Sequence, residues 1–374
     1  MFEREIPLVF NWDHRPFWPR LQQEFGCCEA GAATLTALHA TKGSGKATSY
    51  SRNKNAYGRI SMRYHNKLYT YAKIPRAADH LASQGLIEHH KKPSGSLGWQ
   101  SWMRLTPECS SYLDALMGDE LMALMPIEPV ILRDRDKKLV NYSDCPETRI
   151  MRRKICLFNE AIAGSNLKGC IPGSLTRIFN QTFDRGGRFY VSGGSWQCKS
   201  KLARAQILID GEPVVEIDYT SLHATLVYGN AGIRKPENCY EIDNWPRELV
   251  KLAFLILLNA QTESSAIRAI ANTAEMAARH SDFSDALLSS KRLVAAIKQR
   301  HQAISRFFHS DAGAKLMRID SDMAEIVMTK LNSQGIAALP IHDSFLVQAK
   351  HAENLREAML QAAQFKGYQF IGVI

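Results

Sequence analysis

Two aspartates, Asp218 and Asp343, stand at places in the sequence where a side chain can bind a metal ion. Asp218 directly follows the largely β-branched run 213–217, which predicts a buried strand, and a helical pattern begins at Ser221. A carboxylate at such a strand-to-helix turn, with the neighbouring Tyr219 carbonyl, offers the oxygen ligands that hard divalent cations prefer. Capping of the following helix is the alternative role for Asp218, and only a second carboxylate would favour metal binding.

The second carboxylate lies in a predicted hairpin near the end of the sequence. Residues 336–341 and 345–347 are two short strand-like runs, with His342, Asp343 and Ser344 between them. A purely structural hairpin turn typically carries Asn-Gly or Asp-Gly. The His-Asp tip therefore predicts a functional turn.

Two cations occur on one predicted helix between these aspartates. Arg247 and Lys251 are four residues apart and share a helix face, and Asn259 follows two turns after Lys251. The rest of this helix is apolar, which predicts burial except where the cations emerge. An anionic ligand such as a triphosphate is one interpretation, and pairing with Asp243 or Glu248 is the other.

A glycine pair precedes a further cation. Gly186 and Gly187 permit close backbone approach, and we expect Asp184 to pair with Arg188 across a turn that they form. An arginine held in this way is a preorganised phosphate contact. A salt bridge that merely closes a hairpin is the alternative.

Composition indicates the class of partner. The 374-residue chain has a formal net charge of +10, which favours a polyanion, and its size predicts two or three domains. Its eight cysteines show no CxxC spacing, which fits a reducing, cytoplasmic location. The apolar runs are too short to span a bilayer, so we expect no membrane association.

The segment 69–105 predicts a helix, a strand, a basic turn and a second strand, which is the layout of a winged helix. Lys73 and Arg76 would then enter a major groove, while Lys91 and Lys92 would contact the flanking phosphates. A small α+β module with solvated lysines has the same pattern.

The order of four sequence patterns resembles that of single-subunit, phage-type RNA polymerases and the related family A DNA polymerases. DRGGR at 184–188 is similar to their DxxGR element, and EIDYTSLH at 216–223 is similar to motif A. The Arg247/Lys251 helix resembles the RxxxK core of motif B, and IHDSF at 341–345 resembles motif C. The resemblance covers roughly residues 146–374.

The resemblance implies a role for each matching residue. Asp218 and Asp343, with the Tyr219 carbonyl, would bind two Mg²⁺ or Mn²⁺ ions. Lys251 would be catalytic, and both Lys251 and Arg247 would bind the incoming nucleoside triphosphate. The remaining matches place Tyr219, His223 and Asn259 at the nucleotide, and Arg188, Asp184 and His342 on the template and primer.

His223 bears on the choice of sugar. Family A DNA polymerases carry Glu at the matching position, where it blocks a 2′ hydroxyl, and phage RNA polymerases carry Gly. The bulk of His223 favours deoxynucleotides, whereas DRGGR and HDSF resemble the RNA polymerase branch more closely. Asn259 and Ala260 replace the Tyr-Gly that helps to sense the sugar, so DNA and RNA products both stay open.

From these patterns and the resemblance we predict an α+β chain. It would be a right-hand polymerase, with an antiparallel palm sheet and helical fingers and thumb, preceded by a winged-helix-like domain. The predicted segments are an N-terminal helical region (1–60), a winged-helix-like domain (61–125), a linker with thumb helices (126–180), and the palm and fingers (181–374).

The predicted function is template-directed nucleotide polymerisation by a monomer on a DNA or RNA template-primer, in replication or priming of a mobile element. The alternatives are an RNA polymerase or primase of the same fold, a non-catalytic DNA-binding initiator, and an untemplated terminal transferase.

Overall fold

The computed structural model describes residues 5–58, 61–93, 100–118, 121–192, 195–280, 282–369 and 371–374. The chain mixes α-helices with small β-sheets and separates into two compact units. Unit one contains residues 1–177, 189–215 and 335–339, and unit two contains 178–188, 216–334 and 340–374. Because both units draw on distant parts of the chain, whereas the predicted domain ranges are consecutive, those ranges stay a prediction.

The N-terminal part of unit one is a four-stranded sheet covered by helices. Its elements are β1 (Ile6–Pro7), α1 (Trp18–Phe25), α2 (Glu29–Thr41), β2 (Thr48–Tyr50), α3 (Ile74–Ser83), β3 (Ile87–His90), β4 (Ser101–Leu105) and α4 (Pro107–Met117). The strand order is β1-β2-β4-β3, with β2 and β3 antiparallel to β4. Leu21, Leu35, Leu81, Met103 and Leu113 lie in its core. Trp99, within the predicted second strand, lies outside the described residues.

The elements that follow along the chain belong mostly to unit one, with residues 178–188 and 216–218 in unit two. They are β5 (Val130–Arg133), α5 (Pro146–Ala163), β6 (Leu167–Lys168), β7 (Leu175–Asn180), β8 (Thr182–Val191), α6 (Lys201–Arg204), β9 (Leu208–Ile209) and β10 (Glu212–Asp218). The order β5-β7-β8 makes a second sheet. Helix α5 begins at Pro146, as predicted, because proline suits the first helical turn, where its missing N–H costs nothing.

Unit two is mainly helical. Its elements are α7 (Leu222–Asn230), α8 (Arg247–Asn259), α9 (Glu263–Ala271), α10 (Ala274–Ala277), α11 (Phe283–Arg300), α12 (Ala312–Ser333), β11 (Leu339–Ile341), β12 (Ser344–Gln348) and α13 (Ala352–Phe365). Strand β12 lies between β11 and β10. No helix within the described residues is long and apolar enough to cross a membrane. All eight cysteines are free thiols.

Candidate metal and nucleotide site

Asp218 lies where the predicted strand ends and the predicted helix begins. Strand β10 ends at Asp218, and α7 begins at Leu222. The backbone of Asp218 is held from one side by Ile374, since each residue donates its N–H to the other's carbonyl at 2.9 Å. The N-cap of α7 is Ser221, whose φ of 52° lies in the left-handed region that non-glycine residues seldom adopt. Asp218 therefore does not occupy the capping position of this helix.

Asp343 lies at the tip of the hairpin between β11 and β12. Its neighbour His342 has a φ of 60°, a second left-handed non-glycine residue beside a predicted metal ligand. Since β12 is the neighbour of β10, Asp218 and Asp343 stand at the ends of paired strands. The Ser344 hydroxyl donates a hydrogen bond of 3.3 Å to Glu216, which joins the hairpin to β10.

The negative charge of Asp343 affects the ionisation of Asp218. Burial, followed by the negative charge of Asp343, raises the pKa of Asp218 to about 6, while the nearby charge of Lys251 opposes this rise. The Oδ1 atom of Asp218 is buried and accepts no hydrogen bond from the residues described. A buried carboxylate oxygen without a donor, next to a second carboxylate, suits a divalent cation. This donor set therefore fits the Mg²⁺ or Mn²⁺ that the sequence predicts.

A third aspartate joins this cluster and was missed from the sequence. Asp320 on α12 is 1 % exposed, and it forms an ion pair of 2.7 Å with Arg188. Burial raises the pKa of Asp320 to about 6, and the charges of Asp343 and Asp218 add to the rise, while Arg188 lowers it. Helical spacing could have identified Asp320 as a buried acid, because Asp320 lies four residues after Leu316 on the face of α12 that points inward.

Arg188 also contacts His223, and this contact determines which ring nitrogen of His223 carries the proton. One guanidinium nitrogen, Nη2, lies 3.2 Å from His223 Nε2. Because a guanidinium can only donate, Nε2 must accept, and the ring proton must reside on Nδ1. Burial, together with the Arg188 charge, lowers the pKa of His223 to about 4. His223 is thus a neutral, oriented side chain.

The structure corrects the prediction for Asp184. Residues 184–188 do not form a turn, because β8 runs through them, and the chain reverses earlier, at Gln181, which has a φ of 69°. Residues four apart along a strand are separated by about 13 Å, which is too far for an ion pair. The partner of Asp184 is therefore the hydroxyl of Thr182, while Arg188 pairs with Asp320.

The glycine pair serves close packing instead. Gly187 has a φ of 80°, and a Cβ there would lie 2.7 Å from the Phe179 ring and 2.9 Å from the Ser321 hydroxyl. Ser321 in turn donates a hydrogen bond of 3.2 Å to the Gly186 carbonyl. Only glycine lets α12 approach β8 closely enough to set Asp320 against Arg188.

The predicted nucleotide-binding residues on α8 differ in their surroundings: Lys251 interacts with Asp218, whereas Arg247 and Asn259 are exposed. Lys251 makes no ion pair with any described acid, yet its charge lowers the pKa of Asp218. By contrast, Arg247 is exposed and pairs with Glu248 at 2.7 Å, which was the alternative interpretation of this helix. Asn259 is exposed at the end of α8, and its amide donates to the Leu255 carbonyl at 2.8 Å.

The remaining predicted site residues, Tyr219 and His342, differ in how deeply their side chains are buried. The Tyr219 side chain is buried, and its hydroxyl donates to the Met359 carbonyl at 2.7 Å, so only the Tyr219 backbone remains near Asp218. His342 is half-buried, and burial lowers its pKa, as does the charge of Arg188.

The predicted DNA-binding side chains belong to unit one. Lys73 and Arg76 are exposed on α3 or at its start. Lys91, which directly follows β3, pairs with Asp79 of α3 at 2.8 Å. The Lys92 backbone N–H donates to the Ser101 hydroxyl at 2.9 Å. The two helix cations are therefore available to a ligand, whereas one of the two turn lysines is already paired.

Comparison with known proteins adds no identification. No model of a known protein family matches the chain, and no curated protein matches it significantly. Among the residues described, no three His, Cys, Asp or Glu side chains are arranged as a metal site. The two aspartates and the unpartnered Oδ1 atom of Asp218 are the features that favour a cation.

Proposed function

We propose that the chain polymerises nucleoside triphosphates on a nucleic-acid template, with the fold and two-cation chemistry of single-subunit polymerases. The observation that carries this proposal is the convergence of Asp218 and Asp343 at the ends of paired strands, with the charge of Lys251 beside them. Glu216 and Asp320 add negative charge that Arg188 and Lys251 only partly offset. Such an excess of buried acid favours divalent cations.

In this proposal each residue has a defined task. Asp218 and Asp343, with the Tyr219 carbonyl, hold the cations, which when bound activate the primer hydroxyl and neutralise the leaving pyrophosphate. Lys251 offsets charge on the triphosphate. Arg188 orients the neutral His223 ring, whose bulk five residues after Asp218 favours deoxynucleotides over ribonucleotides. Strands β10, β11 and β12 would form the palm, and α5 the thumb.

The N-terminal module supplies a second line of support. Its α3 and the β3–β4 pair have the order of a winged helix, and Lys73 and Arg76 are exposed on the helix that would enter a major groove. We assign duplex binding to this helix.

The test is nucleotide incorporation by purified protein on primed and unprimed templates, with either nucleotide set and with Mg²⁺ or Mn²⁺. We expect Asp218→Asn and Asp343→Asn each to lower incorporation at least about a thousandfold, because several kcal/mol of charge stabilisation are lost. Asp285→Asn, an exposed aspartate in the first turn of α11, is the matched control and should retain activity.

Other outcomes separate the alternatives. Ribonucleotide incorporation alone on unprimed template would indicate a primase or RNA polymerase. Extension of a single strand irrespective of template would indicate a terminal transferase. No incorporation by the intact protein, with DNA binding unchanged by Asp218→Asn, would indicate a non-catalytic initiator and refute the proposal.

A further inference from the structure

The outer face of the N-terminal sheet carries a row of polar and aromatic side chains. Along β4, Ser101, Met103 and Leu105 are buried, so Trp102 and Arg104 point to the opposite face. In the strand register, Trp102 lies between Ser49 of β2 and His90 of β3, and Arg104 lies opposite Glu88. This face is therefore not the one that packs on the helices.

The side chains in this row form an ordered stack. The rings of His90 and Trp102 are parallel within 12°, with centroids 5.5 Å apart. The Arg104 guanidinium carbon lies 6.0 Å from the centre of the Trp102 ring. Among the described residues, Arg104 makes no ion pair with any acid, Glu88 included. An arginine and a histidine thus both lie next to one half-buried indole.

Arg104 also lines a cleft at the end of β4, whose walls include residues of α2, of α4 and of the segment before β2. The cleft has a volume of about 380 Å³, and its lining includes Lys42, Lys46, Arg104 and Glu88. Lys42 pairs with Asp114, whereas Lys46 makes no ion pair within the part of the chain that the structure describes. Two cations, Lys46 and Arg104, are therefore left to meet an anion.

We propose that this sheet face binds single-stranded nucleic acid, with a base stacked on Trp102 and the adjoining phosphates between Arg104 and Lys46. Aromatic rings interleaved with cations on an open sheet suit unstacked bases, whose faces stack on them irrespective of sequence. A duplex hides those faces, so this sheet face should not retain it. The formal charge of +10 complements a polyanion better than it does an acidic or apolar protein segment. The proposal does not depend on catalysis.

The experiment measures binding of the full chain to a fluorescent oligothymidylate and to a hairpin duplex, without nucleotides. Trp102→Leu should weaken oligothymidylate binding at least about fivefold, which is the lower bound for one lost base stack. Arg104→Gln should also weaken it, through the loss of a phosphate contact. Duplex binding should change less than about twofold. Arg76→Gln on α3 is the matched control for Arg104→Gln and should weaken duplex binding instead.

A second measurement covers the case in which Trp102→Leu does not fold. Arg104 is exposed, so Arg104→Gln should fold, and it should reduce the salt dependence of single-strand binding by about 0.7 in the logarithmic slope if one phosphate contact is lost. Wild-type affinity of the folded Trp102→Leu and Arg104→Gln variants, or equal losses on single strand and duplex, would overturn the proposal. Binding is measured without nucleotides and incorporation is measured with them, so a failed polymerase proposal and a failed binding proposal give different results.

Discussion

Two aspartates, one in each unit, respond to their surroundings in opposite directions. Asp79 on α3 accepts two hydrogen bonds from Arg52 and pairs with Lys91, and these contacts lower its pKa to about 2, with the Arg52 hydrogen bonds the largest cause. Asp218 in unit two is buried beside Asp343, and its pKa rises to about 6. The same side chain is thus stabilised as an anion in one unit and destabilised in the other.

The two carboxylates differ in how their negative charge is satisfied. The Asp79 network joins α3 to Arg52, which follows β2, and it contains more cations than acids, so its charge is satisfied by the protein itself. The cluster around Asp218 contains more acids than cations and leaves one carboxylate oxygen without a donor. A folded protein tolerates such an arrangement where function requires it, at a cost in stability.

The largest effect is expected from the ion pair of Asp320, the fully buried member of the cluster. Arg188→Gln removes the cation that pairs with Asp320 and should lower the free energy of unfolding by about 3 kcal/mol, because a carboxylate that is only 1 % exposed loses its ion-pair partner. Urea denaturation at neutral pH measures this change. Glu357→Gln, which removes a solvent-exposed partner of Lys330, is the control and should lose less than about 1 kcal/mol. Similar losses in both variants would contradict the assignment of a buried pair.

A smaller change of opposite sign is expected at Asp218. In metal-free buffer, Asp218→Asn should raise the free energy of unfolding by about 1 to 2 kcal/mol at pH 7, since a pKa raised by two units penalises the folded anion and asparagine carries no charge. The folded pKa of about 6 exceeds the unfolded value of 3.8. The wild type therefore gains stability as the pH falls from 6 to 4, and the variant's advantage should disappear below pH 4.

Thermal unfolding between pH 4 and 8, with and without Mg²⁺, checks this prediction. Mg²⁺ should stabilise the wild type and have little effect on Asp218→Asn. A variant that is less stable than the wild type at every pH would show that Asp218 has a structural role like that of Asp79.

The smallest effect is expected at Asp79. Asp79→Asn should lower the free energy of unfolding by about 0.5 to 1 kcal/mol at pH 7, because its side chain is 39 % exposed and solvent screens its ion pairs. Its folded pKa lies below 3.8, so the stabilisation is present above pH 4 and is lost as the pH falls towards 2. Acid titration of the two proteins by circular dichroism checks this. A loss that persists below pH 2 would indicate that packing, not charge, is removed.

Local patterns predicted the elements around the site well. Strand β10, helices α5, α8 and α13, and the hairpin of Asp343 lie where the sequence predicts them. Periodicity and helix-starting residues depend on neighbours along the chain, so a local pattern is enough. The prediction failed at 184–188, where Gly186 and Gly187 suggested a turn although their positive φ angles occur within a strand.

The sequence by itself determined which residues could act and on which elements they lie. It placed Asp218 at the end of a predicted strand and Asp343 at the tip of a predicted hairpin, although 125 positions separate the two residues along the chain. Only the tertiary structure decided that Asp320 joins them, that Arg188 serves Asp320 and His223 rather than Asp184, and that Arg247 pairs with Glu248. The reason is physical: desolvation and Coulomb interactions depend on burial and on distances through space, which packing sets and sequence spacing does not.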